Sequence, residues 1–330
     1  MKNAAIAAIV LFCSLKPALA SVDPALQQLL ISAKQKVDLS YNQTTPFQMD
    51  VDFVIQLAVP TRGHLTLKWE AKDRWWRGVV IEGFQQIEVK NGEWHYTSRN
   101  LDYTPMQVVN LIGLLDFDYL NLGGDSGEMI AKKGKQRTEA GVEMNCIQVE
   151  RKGNASRNVC FDAASNDILV VESKEHADWP FRVQYSDYFD FGIHRYPHKL
   201  EWLEGGSKVV SAKVVSLISA PFDESLLTPP QGAIARRECE GMTGAFPIKT
   251  VGPSYPKSAS SSGLMGDTTV AMTILTDGTV TNIHIVGRAT RSMDDAALKA
   301  LKEWRFKPAM CGTEPVVTDT TVMFGFRMSY

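Results

Sequence analysis

Between Gln48 and Leu57 the chain alternates. Met49, Val51, Phe53, Ile55 and Leu57 are apolar, and most of the residues between them are polar. A two-residue period places all five on one face of a strand and predicts a sheet with one buried side. Leu65, Leu67 and Trp69 repeat the pattern. The stretch IEVKNGEWHY (Ile87 to Tyr96) reads as a hairpin turning at Asn91-Gly92, two residues that tolerate the positive φ of a type I′ turn. That turn sets Val89 opposite Trp94 and Ile87 opposite Tyr96. Helical spacing replaces alternation over Pro24 to Val37 and again over Pro105 to Leu115, an apolar helix suited to covering a sheet. Strand-like runs then continue through Cys146, Cys160, Ile168 to Val171, Phe181 to Tyr185, His198 to Leu203 and Val209 to Leu217. Short strands at such regular spacing predict a mainly β protein: a curved antiparallel sheet or half-barrel with covering helices.

The rhythm stops near FDESLLTPPQGA, where Pro229-Pro230 and Gly232 punctuate the chain, and breaks again at SYPKSASSSG (Ser254 to Gly263). The expected division is a first domain over residues 21–232, a linker over 233–263 and a small α+β domain over 264–330. In the last of these, a hairpin turning at Asp277-Gly278 places Val270, Met272 and Ile274 opposite Ile285, Ile283 and Thr281. A helix capped by Ser292, with Asp295 three residues on, carries the apolar stripe Ala297, Leu298, Ala300, Leu301 and Trp304. Pro308 ends it. A final strand follows with Val322, Phe324, Phe326 and Met328 on one face, which gives the order strand, strand, helix, strand.

The N-terminus adds a destination. Lys2 precedes an apolar run, Ala4 to Leu15, which ends at Lys16-Pro17 and the A-x-A pattern Ala18-Leu19-Ala20. This reads as a secretory signal over residues 1–20, since a spanning helix needs about 20 apolar residues; the alternative is an uncleaved inner-membrane anchor. Beyond Cys13, which lies in that run, the cysteines are Cys146, Cys160, Cys239 and Cys311, an even set that predicts two disulfides in an exported chain. A hairpin centred on residue 153 sets Cys146 opposite Cys160, within reach of a bond, and leaves Cys239 to Cys311. Metal binding is the competing reading, but no C-x-x-C pair supports it.

Charge and motifs bound the chemistry. A formal net charge of −2 offers no basic field to nucleic acid. His194 and His198 have helical metal-binding spacing, yet Pro197 between them argues for a strand, which holds them too far apart to share an ion. The Gly-Gly pairs lack a phosphate-loop context, and no G-x-S-x-G elbow is present. The expectation is a protein that is not an enzyme and uses no cofactor.

Resemblances sharpen this. SYP (Ser254 to Pro256), the Asp-Gly hairpin, MDDAALKALKEWRFKPA and the closing VMFGF resemble, in order and spacing, the C-terminal domain of TonB. The matching positions are Tyr255, Pro256, Asp277, Gly278, Ala296, Ala297, Trp304, Arg305, Phe306, Pro308 and Ala309. The resemblance implies a periplasmic protein whose final strand (Thr320, Thr321, Val322, Met323, Phe324, Gly325, Phe326 and Arg327) pairs with an extended peptide of an outer-membrane TonB-dependent transporter or another envelope protein. TonB itself has an inner-membrane helix and a long proline-rich spacer. No such spacer occurs here, so energy transduction is the alternative that requires an uncleaved anchor. Residues 47–230 are similar to periplasmic half-barrel proteins of the LolA and LolB type. That likeness implies a second alternative, a lipid or lipoprotein carrier whose apolar ligand face comprises Trp69, Trp75, Trp76, Phe84, Trp94, Leu111, Leu114 and Leu115.

The N-terminal reading makes a direct prediction: sequencing the protein from a periplasmic fraction reads Ser21 first. An intact Met1 in the inner-membrane fraction would return the anchored alternative.

Overall fold

A computed structural model of the chain describes residues 23–56, 59–120, 129–151, 154–173 and 181–328. The signal segment, Leu57 and the centre of the cysteine hairpin lie outside these residues. Helix α1 (Pro24–Val37) comes first and has the expected bounds. Asp23 caps it, its carboxylate accepting from the amides of Ala25 and Leu26. Five strands follow: β1 (Phe47–Ile55), β2 (Thr61–Ala71), β3 (Arg74–Ile81), β4 (Phe84–Asn91) and β5 (Trp94–Arg99). After helix α2 (Met106–Leu115) come β6 (Met129–Lys133), β7 (Arg137–Glu139), β8 (Val142–Arg151), β9 (Asn154–Asp162), β10 (Ile168–Ser173), β11 (Phe181–Phe191), β12 (His194–Glu204) and β13 (Ser207–Ser219).

These strands and β14 (Ile234–Arg237) form one 14-stranded antiparallel sheet, in the order β14-β5-β4-β3-β2-β1-β13-β12-β11-β10-β9-β8-β6, with β7 also on β8. The alternation read in the sequence is the register observed: Phe47, Met49 and Val51 face Trp69, Leu67 and Leu65 across β1 and β2. Both helices pack on this face, burying Leu30, Ala33 and Val37 from α1 and Val108, Leu111 and Leu114 from α2. The sheet's own aromatics fill the remaining space. Phe117 stacks on Tyr185 at 4.3 Å and Phe181 on Trp202 at 5.2 Å, while the Tyr196 hydroxyl donates to the Leu115 carbonyl at the end of α2. On the opposite face the turn Glu224–Leu227 packs against β3 and β4, and Val89 is fully buried.

Cys146 faces Cys160 as expected and is bonded to it. The β4–β5 turn differs from expectation. It consists of Gly92 and Glu93, so Asn91 pairs with Trp94 and Val89 with Tyr96. Only Gly92 of the two central residues has positive φ (60°), so one glycine suffices where a type I′ turn needs two such residues.

The stretch 233–263, read as a linker, holds β14, β15 (Phe246–Lys249) and α3 (Lys257–Ser261). The C-terminal part then comprises β16 (Gly266–Ile274), β17 (Val280–Gly287), α4 (Arg291–Leu301), β18 (Arg305–Lys307), β19 (Ala309–Cys311), β20 (Glu314–Val316) and β21 (Thr318–Phe326). Its main sheet has the order β17-β16-β21, with β15 paired to β18 and β19 to β20 in two small ribbons. Val270 faces Ile285 as expected, but a register shift follows and puts Ile274 opposite Val280. Thr290, not Ser292, caps α4, accepting from the Met293 amide.

Gly278 shows how tightly this part is built. Its φ is +80°, its carbonyl accepts from the Phe306 amide at 3.0 Å, and a Cβ there would lie 1.9 Å from the Phe306 oxygen. Gly241 also has positive φ (69°) but open space around it. We therefore expect Gly241→Ala to cost about 1–2 kcal/mol from backbone strain alone. Gly278→Ala should cost about 3 kcal/mol or more, since it adds a backbone clash. Urea unfolding followed by circular dichroism measures both; equal effects would mean that the contact with Phe306 is not tight.

Candidate functional site

β21 pairs with β16 on one side, from Thr318↔Ile274 to Phe326↔Gly266. Among the described residues no backbone hydrogen bond reaches its other side, which leaves a row of amides and carbonyls available to another strand. Phe324 and Phe326 are buried and Val322 half-buried beneath α4, while Thr321, Met323 and Gly325 are exposed on the opposite face. Thr320 is half-buried, and Arg327, just past the strand, pairs with Asp267.

The family-motif positions position this strand. Trp304 lies against Phe324 (ring centres 5.4 Å apart) and Phe306 (5.9 Å), and its indole donates to the Val251 carbonyl at 2.9 Å. Tyr255 meets Phe326 edge-on at 5.7 Å and donates to the Leu264 carbonyl. Pro256 starts α3. Asp277 holds the hairpin by accepting from the Thr279 amide and hydroxyl. Ala297 and Ala309 are fully buried, Ala296 and Pro308 half-buried, and Arg305 exposed. The sequence reading missed Asp294. It is buried at the start of α4, where it accepts from the Thr268 hydroxyl at 2.8 Å and the Ala289 amide at 3.3 Å. An acidic residue in the first turn of the helix was the visible signal.

The two parts meet at β14. Arg236 grips Asp319 of β21 with two contacts of 3.1 Å, and Arg237 pairs with Glu93 and with Glu314. The Tyr103 ring lies 5.5 Å from His284, and Cys239 is bonded to Cys311 as expected. Between these contacts Glu238 anchors in the first domain. Its amide donates to the Glu93 carbonyl at 2.7 Å, and its carboxylate meets Lys90 at 3.0 Å and His95 at 2.9 Å.

The helix-lined face holds a pocket of about 330 Å³ among Phe47, Met49, Leu67, Trp69, Trp75 and Leu115, with Lys34, Arg77 and Asp116 at its polar end. Of the expected ligand face, Trp69, Trp75 and Leu115 line this pocket, whereas Phe84, Leu111 and Leu114 are packed into the core. Trp76 and Trp94 point the other way. Trp76 shares its face with Val89, and Trp94, 45% exposed, alternates with inward His95. From the pocket a chain of charges runs to the junction: Asp116 to Arg77 at 3.5 Å, Arg77 to Glu88 at 2.7 Å, and Glu88 to His95 at 3.3 Å. Burial, the largest single effect, raises the pKa of Glu88, but the charges and hydrogen bonds of Arg77 and His95 together outweigh it and hold the carboxyl well below its usual range. Burial lowers that of His95, yet its bonds to Glu238 and Glu88 lift it to about 9. Burial raises the pKa of Glu238, but the hydrogen bonds and charges of His95 and Lys90 together hold it down at about 2.

Residues 251–328 match the family described as the C-terminal of the Gram-negative bacterial TonB protein. The chain is 31% identical over 83 residues to Protein TonB of Pseudomonas aeruginosa, a match covering 25% of this chain and 24% of that one. It thus spans about a quarter of the length of the curated relative it matches. The solution structure of the TonB C-terminal domain from the same organism aligns at 28% identity over 28% of this chain and 98% of that one, with a TM-score of 0.24. A LolA superfamily protein from Nitrosomonas europaea aligns at 10% identity over 60% of this chain and 97% of that one, with a TM-score of 0.41.

The charge chain has a pH signature. His95 has a raised pKa, so its contribution is complete below about 6.5, the unfolded value, and is lost as pH rises through about 9. Glu238 has a lowered pKa; its contribution is complete above about 4.5 and is lost as pH falls toward about 2. Thermal unfolding should therefore show stability declining between pH 6.5 and 9, and His95→Gln should flatten that decline. An unchanged slope in the variant would remove His95 as its source.

Proposed function

We propose that the protein is an exported, non-catalytic binding protein of the periplasm. Its C-terminal part takes up an extended segment of an envelope partner, such as an outer-membrane transporter, by strand addition to β21. One observation carries this reading: in a segment matching TonB C-terminal domains, the last strand has no backbone partner on its outer side among the described residues. Arg236 already holds Asp319, so the open stretch is Thr320 to Phe326. Added side chains on the α4 side of the sheet meet Trp304, and those on the other side meet Thr321 and Met323. A force-transmitting role requires the N-terminal segment to be retained as an anchor. A second reading rests on the 330 Å³ pocket, which lies near the lower end of the size range for small-molecule sites. Its aromatic wall and charged end suit one small amphiphile.

Adjacent residues on a strand turn their amides to opposite sides, so Thr321→Pro and Val322→Pro test the edge as a pair. One breaks the ladder to β16 and destabilises the fold. The other stays folded and weakens binding of synthetic peptides copied from transporter N-terminal segments about two- to tenfold, the worth of one backbone bond. Met323→Ala should have less effect. Calorimetric titration on the full chain measures all three, and wild-type affinity in every folded variant would remove strand addition.

A further inference from the structure

The ribbon formed by β15 and β18 carries exposed side chains that strand addition to β21 does not use. Phe306 is buried on its inner side. Across the ribbon Phe246 faces Lys307 and Lys249 faces Arg305, and all four are exposed, together with Ile248 and the neighbouring Lys302. Phe246 and Ile248 are 49% and 66% exposed and lie two residues apart on one short strand, a local apolar pair rather than a single exposed residue. Among the described residues none of Lys249, Lys302, Arg305 and Lys307 makes an ion pair. Lys307 lies 5.5 Å from the Phe246 ring centre, and Arg305 is turned back onto the carbonyls of Lys302 and Trp304. Among nearby acidic residues, Asp277 holds Thr279 and feels the Arg305 charge without forming an ion pair with it. Four cations thus surround two projecting apolar side chains on a chain whose overall charge is slightly negative.

We infer that this face seats the C-terminal part on an anionic phospholipid surface. Headgroup phosphates would take the cations, and Phe246 and Ile248 would enter the boundary between headgroups and acyl chains. An acidic peptide fits less well. Pro247 removes an amide donor from β15, which blunts that edge against strand addition, and the face is a ribbon without a groove. The attraction is electrostatic and therefore falls with salt.

Vesicle co-sedimentation tests this, using the full chain as processed by the exporting cell. Wild type should pellet with phosphatidylglycerol vesicles, much less with phosphatidylcholine, and progressively less as salt is raised. Each cation near such a surface is worth about fivefold in partitioning, so Lys249→Ala with Arg305→Ala should reduce binding about 30-fold. Phe246→Ser with Ile248→Ser should reduce it at least about tenfold while keeping the salt dependence. All four positions are exposed, and circular dichroism verifies that the variants fold. Equal binding to the two lipids, or unchanged binding in both double variants, overturns the proposal. Retention on soluble polyglutamate without vesicle binding overturns it too and gives the face to an acidic protein partner.

Discussion

The pairing of β1 with β13 is the contact on which the large sheet depends. It joins Phe47–Ile55 to a strand more than 150 residues away in sequence and unites two sets of consecutive hairpins, β2 to β5 and β8 to β12. Without it each set would present a half-covered apolar face to water. With it, α1 and α2 lie against a single surface, and one hydrophobic cluster extends from Phe84 on β4 to Ala131 on β6. So many distant pairings make loop closure a large entropic cost, which only burial on this scale can offset. The same arrangement explains why the pocket is small: Phe117, Tyr185, Tyr196 and Trp202 occupy most of the space a more open sheet would leave.

Most elements were legible because the apolar period was strong. Both long helices of the first domain and the alternation of β1 and β2 follow directly from it, and export combined with hairpin spacing led to both cysteine pairs. The failures fall where two solutions are locally equivalent. Asn91-Gly92 and Gly92-Glu93 both provide a glycine for the turn, and Thr290 and Ser292 are both good helix caps. In RWWRGVVI both faces of β3 carry large side chains, so the phase that sends Trp75 inward and Trp76 outward is set by tertiary partners. The strands β14 and β15, four residues each, are too short to show a period of their own. They exist because β5 and β18 offer them edges, so a stretch rich in Gly and Pro looked like a linker.

The charges between the pocket and β14 follow a different logic from the core. Arg77 and Glu88 are nearly inaccessible, and isolated buried charges would be costly; each is compensated by its neighbour, and the series ends at Glu238. Such a chain contributes little net stability compared with apolar packing, but it tolerates only one arrangement. It fixes where the first domain ends and holds Glu238 beside Cys239, so the geometry of the pocket wall and that of the junction are set by the same few residues.

The Cys239–Cys311 bond also determines how the molecule would carry mechanical load. Cys311 lies only seven residues before β21 begins, and Cys239 lies two residues after β14 ends. Tension applied to β21 would pass through β20 and the sulfur bridge into β14, and from there into the ladder with β5. The covalent path thereby bypasses the intervening stretch from residue 240 to 310, which contains β16, β17 and α4. A pull on the last strand would thus reach the edge of the large sheet through covalent bonds, and the ladder of β21 to β16 would not have to bear it alone.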